Sequence, residues 1–268
     1  MSLKAGTQII YGINPLMESL KGKGDIQTLF LLREKKGNIV HQILRLASEK
    51  GIPVVYKTRE EMDRLSDRGV HQGVAGIRKA FSHATMEEIV LQPREEKNKR
   101  LLVLLDGITD PQNMGAMIRT GHCFGVDGFI IPEDRSAPLS ATVLKASAGA
   151  LFHMPVATVI NLARAIDFLK EQNFWIYGAD MEGTSSFHVF DQADRVALVM
   201  GSEGKGLRPL IRKKCDFLVS IDMEGRFDSL NVSVAAGILI HGIVKNRQEF
   251  LAKTKDRDET ARPKKVYS

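Results

Sequence analysis

The sequence predicts an α/β protein, a mostly parallel sheet with helices on both faces, preceded by a small α/β module. Three observations carry this. From residue 101 onward, short aliphatic runs alternate with amphipathic stretches of helical period, the pattern of strands laid parallel by crossover helices. Before residue 82 the same elements recur in a shorter, more basic segment. Between them, residues 82–100 end in "PREEKNKR", charged and proline-bearing, and read as a linker.

In the front module, residues 1–81, "NPLMESL" offers Asn14 as N-cap and Pro15 at the first helical position. "IQTLFLL" reads as a strand, "NIVHQILRLASEKG" as an amphipathic helix closed by Gly51, and "IPVVY" as a second strand. "TREEMDRLSDRG" is a further helix and "HQGVAGIR" a last short strand. In the second domain, 101–247, strands are expected at 101–106, 127–131, 155–158, 174–179, 195–200 and 217–221. Helices are expected at 113–124, 139–147, 161–171, 207–214 and 231–247. The polar tail 248–268 reads as disordered and basic.

A chain of 268 residues has room for two domains with a sizeable core. The apolar run "SLNVSVAAGILIHGIV" is shorter than the roughly 20 residues a membrane span needs, and is read as a buried helix. The amino terminus lacks the apolar core of a secretory signal, so a cytoplasmic protein is expected. Cys123 and Cys215 lie far apart with no CxxC spacing, which suggests neither a zinc site nor a disulfide framework. His41, His71, His83, His153, His188 and His241 show no metal-ligand spacing either, and no metal is expected.

The net charge of +6 is unevenly placed. Residues 1–81 hold 14 Lys and Arg against 8 Asp and Glu, residues 82–247 hold 18 against 20, and the tail holds 6 against 4. The excess at the front suits a polyanion-binding module, although a mildly basic solvated surface would look the same.

Ligands of a parallel sheet bind at the carboxyl ends of its strands, and three such ends carry unusual loops. They are "DGITDPQNMGAMIRTG" after residue 105, "LVMGSEGKGL" around residue 201, and "IDMEGRFDSLNVSVAAG" after residue 220. "GSEGKG" is neither GxGxxG nor a phosphate loop, and it comes late in the domain, which weighs against a nucleotide-cofactor oxidoreductase. Singly, these glycines could be ordinary turns. Together the loops bring an amide, an acid, an arginine and a hydroxyl to one sheet edge, more than turning requires.

These three stretches resemble, in order and spacing, the three motifs of the SpoU-type RNA ribose 2′-O-methyltransferases of the SPOUT superfamily. The front module, beginning "IIYGINPLMESL", resembles the L30e-like substrate-binding domain of the branch that modifies a guanosine of bacterial 23S rRNA. The resemblance implies a carboxyl-terminal trefoil knot that binds S-adenosylmethionine, a homodimer that completes the site, and RNA as substrate, either rRNA or an assembling ribosomal particle. On the matching positions, Gly201, Ile221, Met223 and Leu230 would hold the cofactor. Asn113, Arg119, Glu203, Ser229 and Asn231 would form the catalytic and substrate-positioning group. Two positions depart from the family pattern: Asp222 stands where proline is usual, and His122 where a small apolar residue is. A tRNA ribose 2′-O-methyltransferase and an RNA-binding protein with a vestigial knot are the rival readings.

Overall fold

The structure is a computed structural model that describes residues 6–22, 26–79, 84–91, 99–183, 194–224 and 229–260, with residues 250–260 described by backbone alone. It contains two sheets. In the first, β1 (Thr7–Tyr11), β2 (Ile26–Leu32), β3 (Val54–Lys57) and β4 (Val74–Lys79) take the order β1-β4-β2-β3. β2 and β3 are parallel, and β4 is antiparallel to both of its neighbours. Helices α1 (Ile13–Lys21) and α2 (Asn38–Glu49) bury Leu16, Leu20 and Ile43 on one side of this sheet, while Met62 of α3 (Arg59–Leu65) packs with Phe30 and Ala75.

Three local details differ from the sequence reading. The N-cap of α1 is Gly12, at φ 95, and the first helical N–H, that of Ile13, donates to Gln72 Oε1 at 3.0 Å; Asn14 and Pro15 lie inside the first turn. A strand at Thr7–Tyr11 precedes the helix. Residues 84–91, assigned to the linker, are instead structured: Ala84 bridges Ala157, and α4 (Met86–Leu91) buries Ile89 and Val90. Its start is a Thr85–Glu88 reciprocal cap, a signal hidden in the sequence by the surrounding charge. Residues 92–98 lie outside the described set.

The second sheet is parallel throughout, in the order β10-β8-β9-β5-β6-β7. Its strands are β5 (Arg100–Asp106), β6 (Gly128–Pro132), β7 (Val156–Val159), β8 (Trp175–Ala179), β9 (Arg195–Gly201) and β10 (Phe217–Val219). β5 is buried along its whole length, as a central strand covered on both faces must be. On one side α5 (Pro111–Cys123), α6 (Ala141–Ala146) and α9 (Val232–Thr260) meet Leu101, Val103 and Leu105; on the other α4, α7 (Leu162–Glu171) and α8 (Pro209–Lys214) meet Leu102 and Leu104.

α9 continues to Thr260, past residue 247, into the stretch expected to be a disordered tail. The segment "EFLAKTKDRDE" is made of helix-tolerant residues with no glycine or proline, and Lys245 pairs with Glu249 one turn on. Residues 261–268 are outside the described set, as are 184–193 and 225–228, through which any threading of the carboxyl-terminal segment would have to be traced.

The two sheets share one continuous hydrophobic core, because β1 and α1 pack on α6 and on the short 3₁₀ turn Ala150–Phe152. Lys145 of α6 donates to Val70 O at 2.8 Å and lies over the Tyr11 ring, and burial pushes its pKa down. His153 contacts Glu18 of α1 at 3.4 Å and stacks on His122. The front module is thus fastened directly to the second domain.

Candidate active site

The strand order reverses direction between β5 and β9. β6 and β7 extend the sheet on one side, and β8 and β10 on the other. Loops leaving a parallel sheet at such a switch point diverge and open a crevice. Asp106 and Gly201 are register partners at the carboxyl ends of these two strands, so the β5–α5 and β9–α8 loops face each other there.

Local sequence sets each loop. Asp110 caps α5, accepting from the backbone N–H of Gln112 at 3.1 Å and of Asn113 at 3.2 Å, with Pro111 at the first helical position. That places the nine-tenths buried Asn113 in the first turn, turned toward the crevice. The β9–α8 loop closes on itself through paired backbone bonds, Ser202 N–H to Gly206 O at 3.0 Å and Gly206 N–H to Ser202 O at 2.9 Å. A Cβ on Gly201 would stand 2.2 Å from the Gly206 carbonyl carbon, so only glycine permits this closure. The far end of the loop is anchored by Asp106, whose buried carboxylate accepts from Arg208 N–H at 2.8 Å and Arg208 Nε at 2.5 Å.

A hydrogen-bonded chain crosses the crevice. Asn231 Nδ2 donates to Asn113 Oδ1 at 3.0 Å, and Asn113 Nδ2 donates to Glu203 Oε2 at 3.4 Å. Asn231 stands just before α9, and its Oδ1 accepts from both the backbone N–H (2.9 Å) and the hydroxyl (2.6 Å) of Ser233. Three loops distant in sequence therefore meet through three side chains.

Beside this chain opens a cavity of about 510 Å³, in the range of small-molecule sites. Its floor is apolar, from Met200, Val219, Val232, Ala235 and Leu239; its rim carries Gly201, Glu203, Ile221, Met223, Ser229 and Leu230. All four positions expected to hold the cofactor line it, as do Glu203 and Ser229. Asn113 and Asn231 reach it through the hydrogen bonds above. Arg119 is exposed on α5, does not line the cavity and pairs with no described carboxylate. Asp222 is exposed beside Ile221.

A fourth loop lines the cavity that sequence reasoning missed. Asp180, Met181 and Glu182 follow β8, and Arg212 of α8 joins both acids, Nε to Asp180 Oδ2 at 2.7 Å and Nη2 to Glu182 Oε2 at 2.9 Å. Burial pushes the Asp180 carboxyl up, but the Arg212 hydrogen bond and the Glu182 N–H outweigh it, and the net shift is downward. The same hydrogen bond raises the Arg212 guanidinium. The sequence signal was an acid at a strand end, "WIYGAD"; its place depends on β8 lying beside β9, which periodicity does not reveal.

Known proteins resemble the chain over both sheets. The SpoU rRNA Methylase family matches residues 100–241, and the RNA 2'-O ribose methyltransferase substrate binding family matches residues 9–84. A Bacillus subtilis protein named provisionally as the TrmH family tRNA/rRNA methyltransferase YacO is 36% identical over 238 residues, covering 89% of this chain and 95% of its own length. A Staphylococcus saprophyticus protein with the same provisional family name is 36% identical over 239 residues, covering 89% and 96%. The fold is similar to that of the SpoU methyltransferase AviRb from Streptomyces viridochromogenes, with a TM-score of 0.76, 23% identity and 91% of each chain covered. AviRb has also been solved with the cofactor AdoMet, at a TM-score of 0.75 and 23% identity, covering 91% of this chain and 92% of that one. With one matching family spanning its second sheet and relatives aligned along nine-tenths of its length, the chain belongs to the SpoU rRNA methylase family.

Proposed function

We propose that this protein is a homodimeric, S-adenosylmethionine-dependent RNA 2′-O-methyltransferase whose target is a guanosine ribose of 23S rRNA. The observation that carries the reading is the Glu203–Asn113–Asn231 chain at the mouth of a mostly apolar cavity, beside a glycine cradle that a single Cβ would fill.

The residues present fit the cofactor. The apolar floor suits an adenine and a thioether, while the acids of the rim suit a sulfonium and an ammonium. Gly201, Ile221, Met223 and Leu230, which line the cavity, would hold it, mostly by backbone and apolar contact. When bound, S-adenosylmethionine supplies an electrophilic methyl group for in-line displacement. What this chain supplies is positioning and electrostatics. Asn113 and Asn231 lock the three loops together, and Ser229 stands at the rim to meet the incoming ribose. Glu203 fixes Asn113. A guanidinium is a poor base in proteins, so the role of Arg119 is to clamp phosphate and the developing alkoxide and not to take the proton.

Arg119 lies outside its own chain's cavity, on α5, the helix that packs on α9, and the exposed Val234 and Ile238 of α9 together with Phe124, the residue that ends α5, offer an apolar face. A second copy covering that face would bring Arg119 to a completed site. The front module supports rRNA as substrate by its charge and its substrate-binding likeness. Relatives carry names that include tRNA, so both RNAs belong in the test. Labelled methyl transfer from S-adenosylmethionine to unmodified rRNA and tRNA, followed by nucleoside analysis, is expected to place label in 2′-O-methylguanosine of 23S rRNA. Label confined to tRNA would overturn the substrate, and cofactor binding with no transfer to either would overturn the activity.

A further inference from the structure

One end of the front sheet collects cations from three separate segments. β2 and β3 run parallel with Leu31 opposite Tyr56 and Leu32 opposite Lys57, so the residues that follow each strand emerge side by side. Arg33 N–H donates to Lys57 O at 3.1 Å, which fixes "REKKG" against "KTR". β4 is antiparallel to β2, with Leu31 opposite Val74, so the loop 66–73 that enters it arrives at the same end. Leu32 N–H donates to Gly73 O, and a Cβ on Gly73 would stand 3.1 Å from the Lys35 side chain.

Arg33, Lys36, Arg59 and Arg68 are exposed there and Lys35 half-buried, and none pairs with a described carboxylate. Two acids of the same end are occupied by cations, Glu61 by Lys57 and Glu60 by Arg64. Among the described residues Glu34, Asp67 and Asp63, which meets a ring nitrogen of His71, are left to oppose the five free cations. Among them stands Tyr56, 51% exposed at the C-terminal end of the edge strand, its ring and hydroxyl without a described partner.

The loop 66–73 is held in a costly shape. Asp67, Arg68 and Gln72 all have left-handed backbones, at φ 49, 57 and 53, a conformation that side-chain-bearing residues adopt at a cost and keep only where the surroundings impose it. His71 imposes it here: Nδ1 accepts from Gly73 N–H at 2.9 Å, which puts the neutral ring's proton on Nε2, facing Asp63 at 3.0 Å. The same loop touches the second domain, since Val70 O accepts from Lys145. A net-positive end bearing one exposed aromatic ring is therefore joined to the body that carries the cavity.

We infer that this end anchors a single-stranded segment of the RNA, with an unpaired base stacked on Tyr56 and its flanking phosphates held by Arg33, Lys35, Lys36, Arg59 and Arg68. Unpaired bases stack on aromatic rings regardless of sequence, whereas the bases of a duplex are already stacked and out of reach. The inference rests on the RNA-substrate reading above and adds to it the form of RNA and the residues that grip it.

The test is fluorescence anisotropy with the full chain and a labelled oligoribonucleotide of about 15 nucleotides, single-stranded or annealed into a blunt duplex. The unmodified chain is expected to prefer the single strand. Tyr56→Ala is expected to weaken single-strand binding by about 5- to 100-fold and leave duplex binding unchanged, with Tyr56→Phe restoring it. Arg33→Gln with Lys36→Gln is expected to flatten the dependence of log K on log salt by about 0.7 per cation removed. Tyr56 is half-exposed, so its truncation opens no core cavity; an unchanged melting temperature and S-adenosylmethionine affinity will show this. The anchor is overturned if the unmodified chain prefers duplex, if Tyr56→Ala binds both forms as the unmodified chain does, or if the salt slope does not move. Those outcomes leave methyl transfer to rRNA intact, whereas absence of that transfer from the unmodified chain is the separate failure of the functional reading.

Discussion

Asn231 donates its side-chain amide to Asn113 Oδ1 at 3.0 Å, and this bond fixes the polarity of the whole site. The backbone N–H of Ser233 can only donate, so the atom of Asn231 it meets must be the oxygen, and the nitrogen is left for Asn113. Asn113 must then accept with its oxygen and present its nitrogen to Glu203, which accepts. The orientation of two amides follows from one main-chain donor.

Breaking that polarity is expected to stop chemistry and spare cofactor binding. Asn231→Asp replaces the donor with a carboxylate facing the Asn113 oxygen, and single-turnover methyl transfer should fall by about 100- to 1,000-fold. Glu203→Gln keeps an oxygen for Asn113 Nδ2 and should hold activity within about 10-fold, while Glu203→Ala should behave like the Asn231 variant. Equal losses from Gln and Ala would mean that the charge of Glu203, and not its hydrogen bond, is what matters.

Two glycines of one loop separate space from strain. Gly201→Ala would drive a Cβ into the Gly206 backbone at 2.2 Å, so calorimetry should detect no S-adenosylmethionine binding. Gly204, at φ 77, has nothing within 4 Å of a built Cβ, and Gly204→Ala should cost only backbone strain, about 1 kcal/mol, with binding kept. Loss of binding in both would point to loop flexibility as the cause.

How much of this was legible in the sequence depended on what each residue answers to. Gly201, Asn113 and Asn231 could be singled out only through the resemblance of the three loops taken together, since each alone reads as an ordinary turn residue. Asp180 and Arg212 could not, since they reach the cavity only because β8 lies between β10 and β9, and strand order is a long-range property. α4 was lost in a charged stretch whose two buried side chains, Ile89 and Val90, are too few to show a period. At α1 the helix starts earlier than Asn14 because a distant side chain, Gln72, supplies the acceptor that a local cap would have.

The face carrying Val234, Ile238 and Phe124 is expected to be covered by a second copy. Ile238→Glu places a charge on it, and light scattering should then show half the mass of the unmodified chain together with loss of methyl transfer. On a free surface the same substitution would change neither, as exposed positions seldom do. An unmodified chain that is monomeric at assay concentration would sink the dimer.

Asp106 holds the β9–α8 loop from within the sheet. Its side chain is fully buried and Arg208 is its sole described charged partner, so Arg208→Met leaves a carboxylate that neither water nor a cation solvates. Urea unfolding should register a loss of about 3 kcal/mol, the low end for a broken buried pair because the guanidinium is itself partly in water. Asp106→Asn, with a neutral acceptor left for the Arg208 N–H, should lose less.

The two cysteines should differ in reactivity in a way that reports on folding. Cys123 is exposed on α5, whereas Cys215 is partly covered, with its thiol donating to Ile211 O at 3.3 Å. Burial, and then the charge of Asp216, push the Cys215 thiol up to about 12. Since the thiolate is the nucleophile, iodoacetamide at about pH 8 should label Cys123 and leave Cys215 unmodified until the chain unfolds. Linkage fixes the sign of the pH effect. The native thiol keeps its proton while the unfolded one loses it near its ordinary value, so this contribution to stability is whole below about pH 8.5 and is lost as pH rises toward about 12. Cys215→Ser should therefore flatten the alkaline limb of the stability profile, and a limb unchanged in that variant would place the alkaline sensitivity elsewhere.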